Sequence, residues 1–152
     1  MPSAWRIVKA SHADRAFSGE GAQRTGGRWN SPGVPLVYAS EHRSLAVLEM
    51  LVHLDPQDGV RYLTFRLEFD EALVERRPPD RLPSGWREEM PARASRAVGD
   101  AWVREGRSAM LAVPSAIVPE ELNYLLNPAH PGFRTIAIGK PVLFAFDPRL
   151  LT

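Results

Sequence analysis

The chain has 152 residues, 44% of them hydrophobic and 24% charged, with 19 Lys and Arg against 18 Asp and Glu. That length supports one globular core, and a formal charge of +1 excludes the basic excess on which non-specific nucleic-acid binding depends. The absence of cysteine excludes disulfides, thiolate metal sites and cysteine nucleophiles, and agrees with a reducing compartment.

In chain order, Trp5 to Lys9 reads as a first strand, and Gly19 to Val34 as a glycine-rich loop too polar to be core. Leu36 to Ala39 is a short buried strand, with Ser40 placed to cap the helix that follows. From Ser44 to Leu54 that helix is apolar almost all round, the mark of a buried helix, and Glu49 is its only acid. Helical spacing sets Glu49 with Leu45, Leu48 and Val52, so its carboxylate needs a partner from elsewhere in the fold.

Arg61 to Phe69 alternates as a half-buried strand, with Leu63, Phe65, Leu67 and Phe69 inward and Tyr62, Thr64, Arg66 and Glu68 outward. Arg76-Arg77 reads as a solvated basic cluster, and Arg77 to Gly85 as a surface excursion rich in breakers. Ala92 to Arg104 is a helix with Ala94, Val98 and Ala101 at helical spacing, stopped by Gly106. Ala109 to Val113 is a buried strand ending at Pro114-Ser115, Asn123 to Pro131 a turn-rich loop, and Val142 to Phe146 a last strand. Strands and helices in irregular alternation indicate an α+β fold in a single domain spanning residues 1–152.

The chemistry centres on Gly26-Gly27-Arg28-Trp29-Asn30. Two glycines permit positive φ and close approach of backbone N–H groups to an anion, and a guanidinium meets carboxylate or phosphate with a planar fork of donors. Arg28 is thus the candidate partner of Glu49, although a solvated loop arginine and a structural ion pair satisfy the same residues. Ser115 lacks a hydrolase elbow and suits a binding role, its hydroxyl able to meet a phosphate, a ribose or Glu49 itself. Gly19-Glu20-Gly21 is not a dinucleotide fingerprint, because Arg24 stands where the third glycine belongs. His12, His42, His53 and His130 have no ligand spacing, so no metal site is expected. No apolar run reaches membrane-spanning length and Met1 to Arg6 lacks a secretory apolar region, so a cytoplasmic location is expected.

Together, Gly26 to Gly33, Val37-Tyr38-Ala39-Ser40, Leu45 to His53, Val113 to Glu121 and Asn123 to Pro131 resemble the RES domain, in order and from about Trp5 to Phe146. The resemblance maps the family's arginine, glutamate and serine onto Arg28, Glu49 and Ser115, with Tyr38 as a further catalytic-site residue. It implies a fold similar to ADP-ribosyltransferases, with a mixed or antiparallel sheet core and flanking helices. It also implies the toxin of a RES–Xre toxin–antitoxin pair that consumes NAD as substrate, as a glycohydrolase or phosphorylase. The alternatives are an ADP-ribosyltransferase acting on a protein, or a non-catalytic module binding NAD or ADP-ribose. Glu49 would stabilise the ribosyl cation as the nicotinamide bond breaks, with Arg28, Trp29, Tyr38, Ser40, Ser115 and Asn123 contacting the dinucleotide. The implied partner is a DNA-binding Xre-type antitoxin covering the cleft, with a homodimer allowed within that complex and neither nucleic acid nor membrane bound directly. Arg28, Tyr38, Glu49 and Ser115 should then line one pocket, with guanidinium and carboxylate on the order of 3–8 Å apart.

Overall fold

The computed structural model describes residues 1–53, 60–90 and 92–151. Eight strands, β1 (Ser3–Lys9), β2 (Val37–Ser40), β3 (Tyr62–Glu68), β4 (Val74–Arg76), β5 (Met110–Pro114), β6 (Leu122–Leu126), β7 (Ala137–Ile138) and β8 (Val142–Phe144), form one sheet. Among the described residues, three α-helices, α1 (Glu20–Thr25), α2 (Arg43–Leu51) and α3 (Arg93–Glu105), accompany it, with short 3-10 turns between elements. The strand order is β4-β5-β6-β2-β1-β3-β7, with β8 also pairing β3. Every pairing is antiparallel except β4 with β5, so the architecture is the expected α+β type with a mixed sheet.

Register decides which side chains share a face, because residues directly opposed across a ladder point the same way. Ser40 lies opposite Asn123, Tyr38 opposite Leu125, and Val113 opposite Asn123. Tyr38, Ser40, Asn123, Leu125, Leu111 and Val113 therefore lie on one face, and Ser115 follows Val113 by the same period of two. Trp29, Leu36 and Trp102 pack on this face over Leu111, Val113 and Leu125. Further along it, Ile7 and Tyr62 receive Ala46 of α2. The opposite face holds Ala4, Val37, Ala39, Leu67, Met110, Ala112 and Leu126, closed over by Phe17, Leu73, Phe133 and Ile136.

Several elements differ from the sequence expectation. The segment read as polar loop from Gly19 to Val34 contains α1, and Trp29 and Asn30 are 1% and 0% exposed. Asn30 is tolerated there because its amide nitrogen donates to the carbonyls of Ala22 and Val34, both at 2.9 Å. Ser40 ends β2 rather than capping α2, whose N-cap is His42 with no side-chain bond. The α2 helix is not buried all round: Leu45 and Ala46 are buried, whereas Leu48 is 40% and Val52 60% exposed. The expected final residue, Leu54, lies outside the described residues.

Strand β3 is buried on both faces near its start, since Tyr62 and Thr64 meet α2 and its Arg43. Strands β4 and β7 were not anticipated, and Arg76 belongs to β4 and pairs with Glu71. The turn-rich region from Asn123 begins inside β6. On α3 the buried stripe is Ser95, Gly99 and Trp102, not Ala94, Val98 and Ala101, and Gly106 ends the helix at φ 63° as expected. Small residues on that stripe bring α3 close: a Cβ on Gly99 would stand 1.6 Å from the Trp29 carbonyl oxygen.

Candidate functional site

Glu49 projects from the last turn of α2 toward Ser115 beyond β5 and Asn123 of β6 and is half-buried. Its Oε2 accepts from Ser115 Oγ at 2.8 Å and from Asn123 Nδ2 at 2.5 Å. Asn123 is held in turn by Ser40, whose Oγ donates to Asn123 Oδ1 at 2.7 Å. Ser115 Oγ also accepts from the backbone N–H groups of Ile117 and Val118, both at 3.1 Å, so the hydroxyl has no freedom to turn away. The three polar residues behind the carboxylate are almost closed to solvent, with Ser115 0%, Ser40 3% and Asn123 9% exposed. Oε1 receives no protein donor among the described residues and is not a buried atom, so one carboxylate oxygen is fixed and the other faces outward.

The arginine loop is anchored from two sides. Tyr38 Oη donates to Asn30 Oδ1 at 2.5 Å and accepts the Trp29 N–H at 3.0 Å. Burial pushes this hydroxyl above the ordinary phenol range, so it remains a donor. Gly27 is required beneath it, because a Cβ there would meet the Tyr38 Oη at 2.6 Å. From α3, Ser95 Oγ donates to the Arg28 carbonyl at 2.6 Å, Arg96 Nε to the Gly27 carbonyl at 2.8 Å, and Asp100 accepts from the Ser31 amide at 2.9 Å.

These contacts revise the expected anion cradle of backbone N–H groups. The amides of Gly26, Gly27, Trp29 and Ser31 all donate within the fold, to Ala22, Asn30, Tyr38 and Asp100 respectively. The guanidinium of Arg28 donates through Nη1 to the carbonyls of Trp86 at 3.0 Å and Glu88 at 2.8 Å. Among the described residues its Nε and Nη2 have no protein acceptor, and neither is a buried atom. Burial lowers the Arg28 pKa, opposed first by the field of Glu49 and then by Tyr38. Arg28 therefore lies within the field of Glu49, but no direct ion pair joins them.

The fold brings Glu49, Ser115, Asn123 and Ser40 into one hydrogen-bonded cluster, with Arg28 in its field. Tyr38 is joined to the arginine loop rather than to Glu49. Trp29 departs from expectation: its ring lies in the core against Trp86 and is not free to stack on a dinucleotide. A cavity of about 450 Å³, lined by Arg77, Pro83, Val98, Trp102, Glu105 and Arg107, includes none of these residues. Sequence reasoning missed the supports Asn30, Ser95, Arg96 and Asp100. The usable signal was polar residues at helical spacing around Gly99 on a face that must bury Trp102.

The RES domain model matches residues 3–147. The chain belongs to the RES domain family. This RES domain is 44% identical over 156 residues to a protein of Sphingobium sp. (strain YBL2) named "Prs ADP-ribosylating toxin", covering 98% of this chain and 96% of that one. It is 36% identical over 148 residues to "Toxin Res" of Yersinia enterocolitica, covering 96% and 97%. Among solved structures, it resembles a chain in the crystal structure of the M. tuberculosis MbcT–MbcA toxin–antitoxin complex, with a TM-score of 0.72 at 21% identity, covering 98% of this chain and 86% of that chain. At that identity the likeness concerns the fold.

Proposed function

We propose that this RES domain is the toxin of a toxin–antitoxin pair and breaks the nicotinamide–ribose bond of NAD. The observation that carries the reading is Glu49: a carboxylate with Oε2 fixed by two uncharged donors and Oε1 directed outward. As the C–N bond breaks, its electron pair leaves with nicotinamide and positive charge develops on the ribose. A pre-oriented carboxylate stabilises that charge without reorganising, and does so more strongly than water. Ser115, Asn123 and Ser40 act as positioning residues for the carboxylate. Arg28 is the candidate for the pyrophosphate, and Tyr38 holds the arginine loop in place. Nothing in this scheme requires a metal.

The acceptor completes the reaction. Its lone pair bonds to the ribosyl carbon, and it releases a proton to solvent. The 44% identity to a protein named as ADP-ribosylating supports a protein side chain as acceptor. Water or inorganic phosphate at the same carbon would make the protein a glycohydrolase or a phosphorylase. Incubating the purified protein with NAD labelled in the adenylate portion, with and without phosphate and a bacterial extract, separates these readings. Transfer is expected to place label on one protein of the extract with equimolar nicotinamide. Free ADP-ribose or a phosphorylated product as the main species would replace transfer with hydrolysis or phosphorolysis, and intact NAD would refute the reading.

The partner belongs to the same proposal. An antitoxin of the Xre type would suppress the activity by covering the surface around Glu49 and Arg28. Co-expression should yield a complex that releases no nicotinamide, whereas an undiminished rate in the complex would refute occlusion.

A further inference from the structure

The segment from Gly85 to Glu88 spans the two halves of the site, and the proposed reaction gives it no role. Arg28 donates to the carbonyls on either side of Arg87, those of Trp86 and Glu88. Arg87 itself donates from Nε to the carbonyl of Ala116 at 3.0 Å, one residue beyond the Ser115 that holds Glu49. The segment is seated by Trp86, which stacks on buried Trp29 at 6.3 Å with planes 26° apart. The exposed Arg87 is thus flanked by carbonyls that hold Arg28 and itself reaches the segment that supports Glu49.

The electrostatics of this arrangement are unbalanced. Arg87 lies close enough to Arg28 for its charge to weaken that group's hold on its proton. Among the described residues neither guanidinium is ion-paired, and each has nitrogens left without a protein acceptor. The nearby carboxylate of Glu88 does not supply the missing charge, since it turns back over Gly85, where a Cβ would meet its Oε1 at 2.9 Å. The open donors of Arg28 and Arg87 flank one segment beside Glu49, and a phosphate is the anion that meets such planar forks bidentately.

We propose that Arg87 and Arg28 form the subsite for the pyrophosphate of the dinucleotide, with Arg87 selecting phosphorylated substrates. The proposal rests on NAD being the substrate, and its test separates the two ideas. KM and kcat for nicotinamide release are measured with NAD and with nicotinamide riboside, which has no phosphate. The proteins are wild type, Arg87→Ala, Arg87→Lys and, as a surface control, Arg81→Ala.

Loss of one charge-assisted contact to phosphate is expected to raise KM for NAD by about 10–100-fold in Arg87→Ala. The kcat for NAD and the kinetics with the riboside should move less than about threefold, Arg87→Lys should recover part of the affinity, and Arg81→Ala should match wild type. An unchanged KM for NAD, or equal losses with NAD and riboside, would overturn the subsite. Calorimetric binding of ADP-ribose to the same proteins decides the case in which no nicotinamide is released. Binding weakened by Arg87→Ala would then keep the subsite while the NAD-cleavage reading falls, whereas no binding, or equal binding, would remove the subsite.

Discussion

Gly99→Ala tests how the arginine loop is anchored. The added methyl would lie 1.6 Å from the Trp29 carbonyl oxygen and 2.7 Å from its carbonyl carbon. Carbon and carbonyl oxygen normally approach to about 3.3 Å, so α3 and the loop must separate by roughly 1.5–2 Å. The hydrogen bonds from Ser95 and Arg96 to the carbonyls of Arg28 and Gly27, 2.6 and 2.8 Å long, cannot both survive that displacement. Overpacking contributes about 1–3 kcal/mol and the two weakened bonds about 1 kcal/mol each, a total loss of about 3–5 kcal/mol. For a chain of this size that lowers Tm by roughly 6–20 °C. Gly21→Ala is the control: nothing lies within 4 Å of its Cβ, and in helix α1 the change should stabilise by about 0.4–1 kcal/mol. Scanning calorimetry of both variants, followed by nicotinamide release below their Tm, is the assay. A Gly99→Ala protein that melts within about 1 °C of wild type would refute the α3 anchor.

Ser115→Ala removes one donor from Glu49 and leaves the partly buried amides of Ile117 and Val118 without their acceptor. It should cost about 2–4 kcal/mol by urea denaturation and reduce kcat, and full stability would contradict the hydrogen-bond assignment. Tyr38→Phe leaves the Trp29 amide unsatisfied and should destabilise by about 1–3 kcal/mol, with a larger effect on KM than on kcat because Arg28 rides on the same loop. A selective loss of kcat would instead place the phenol at the reacting bond. Arg107 holds the Glu75 carboxyl below its ordinary pKa through a hydrogen bond. A depressed carboxylate pKa adds stability above the unfolded value that disappears as pH falls through the folded one. The stability gap between wild type and Glu75→Gln should therefore hold above about pH 4.3 and close below it, which urea titrations at several pH values will read.

Where burial pattern and strand period agree, the sequence reads directly into the structure. Trp5 to Lys9, Val37 to Ala39 and Met110 to Val113 lie in strands because their apolar residues have few other arrangements, and Gly106 stops α3 through its left-handed φ of 63°. Glu49 with Ser115 was legible in part, as a lone acid on an apolar helix and a strand-end hydroxyl. The remainder depended on tertiary register. By sequence Asn123 opens a turn-rich loop, yet pairing β6 between β2 and β5 makes it a strand residue aimed at Glu49. On sequence Trp29 suits packing or, from its glycine loop, a ligand contact; Gly99 allows α3 to settle over it and bury the ring. The apolar surround of α2 implied burial on all sides, although a helix resting on one sheet face covers only one stripe, and Leu48 and Val52 remain outside it.

The central claim is that the charge on Glu49, rather than its shape, drives departure of nicotinamide. Single-turnover release from NAD by Glu49→Gln tests this most directly, accompanied by ADP-ribose affinity and Tm on the same preparation. Glutamine keeps the length and an oxygen for Ser115 and Asn123 but removes the negative charge. The expected result is a rate reduced by about 100–1000-fold or more, with affinity and Tm close to wild type. Release at a near wild-type rate would contradict the claim and require another group to stabilise the ribosyl cation.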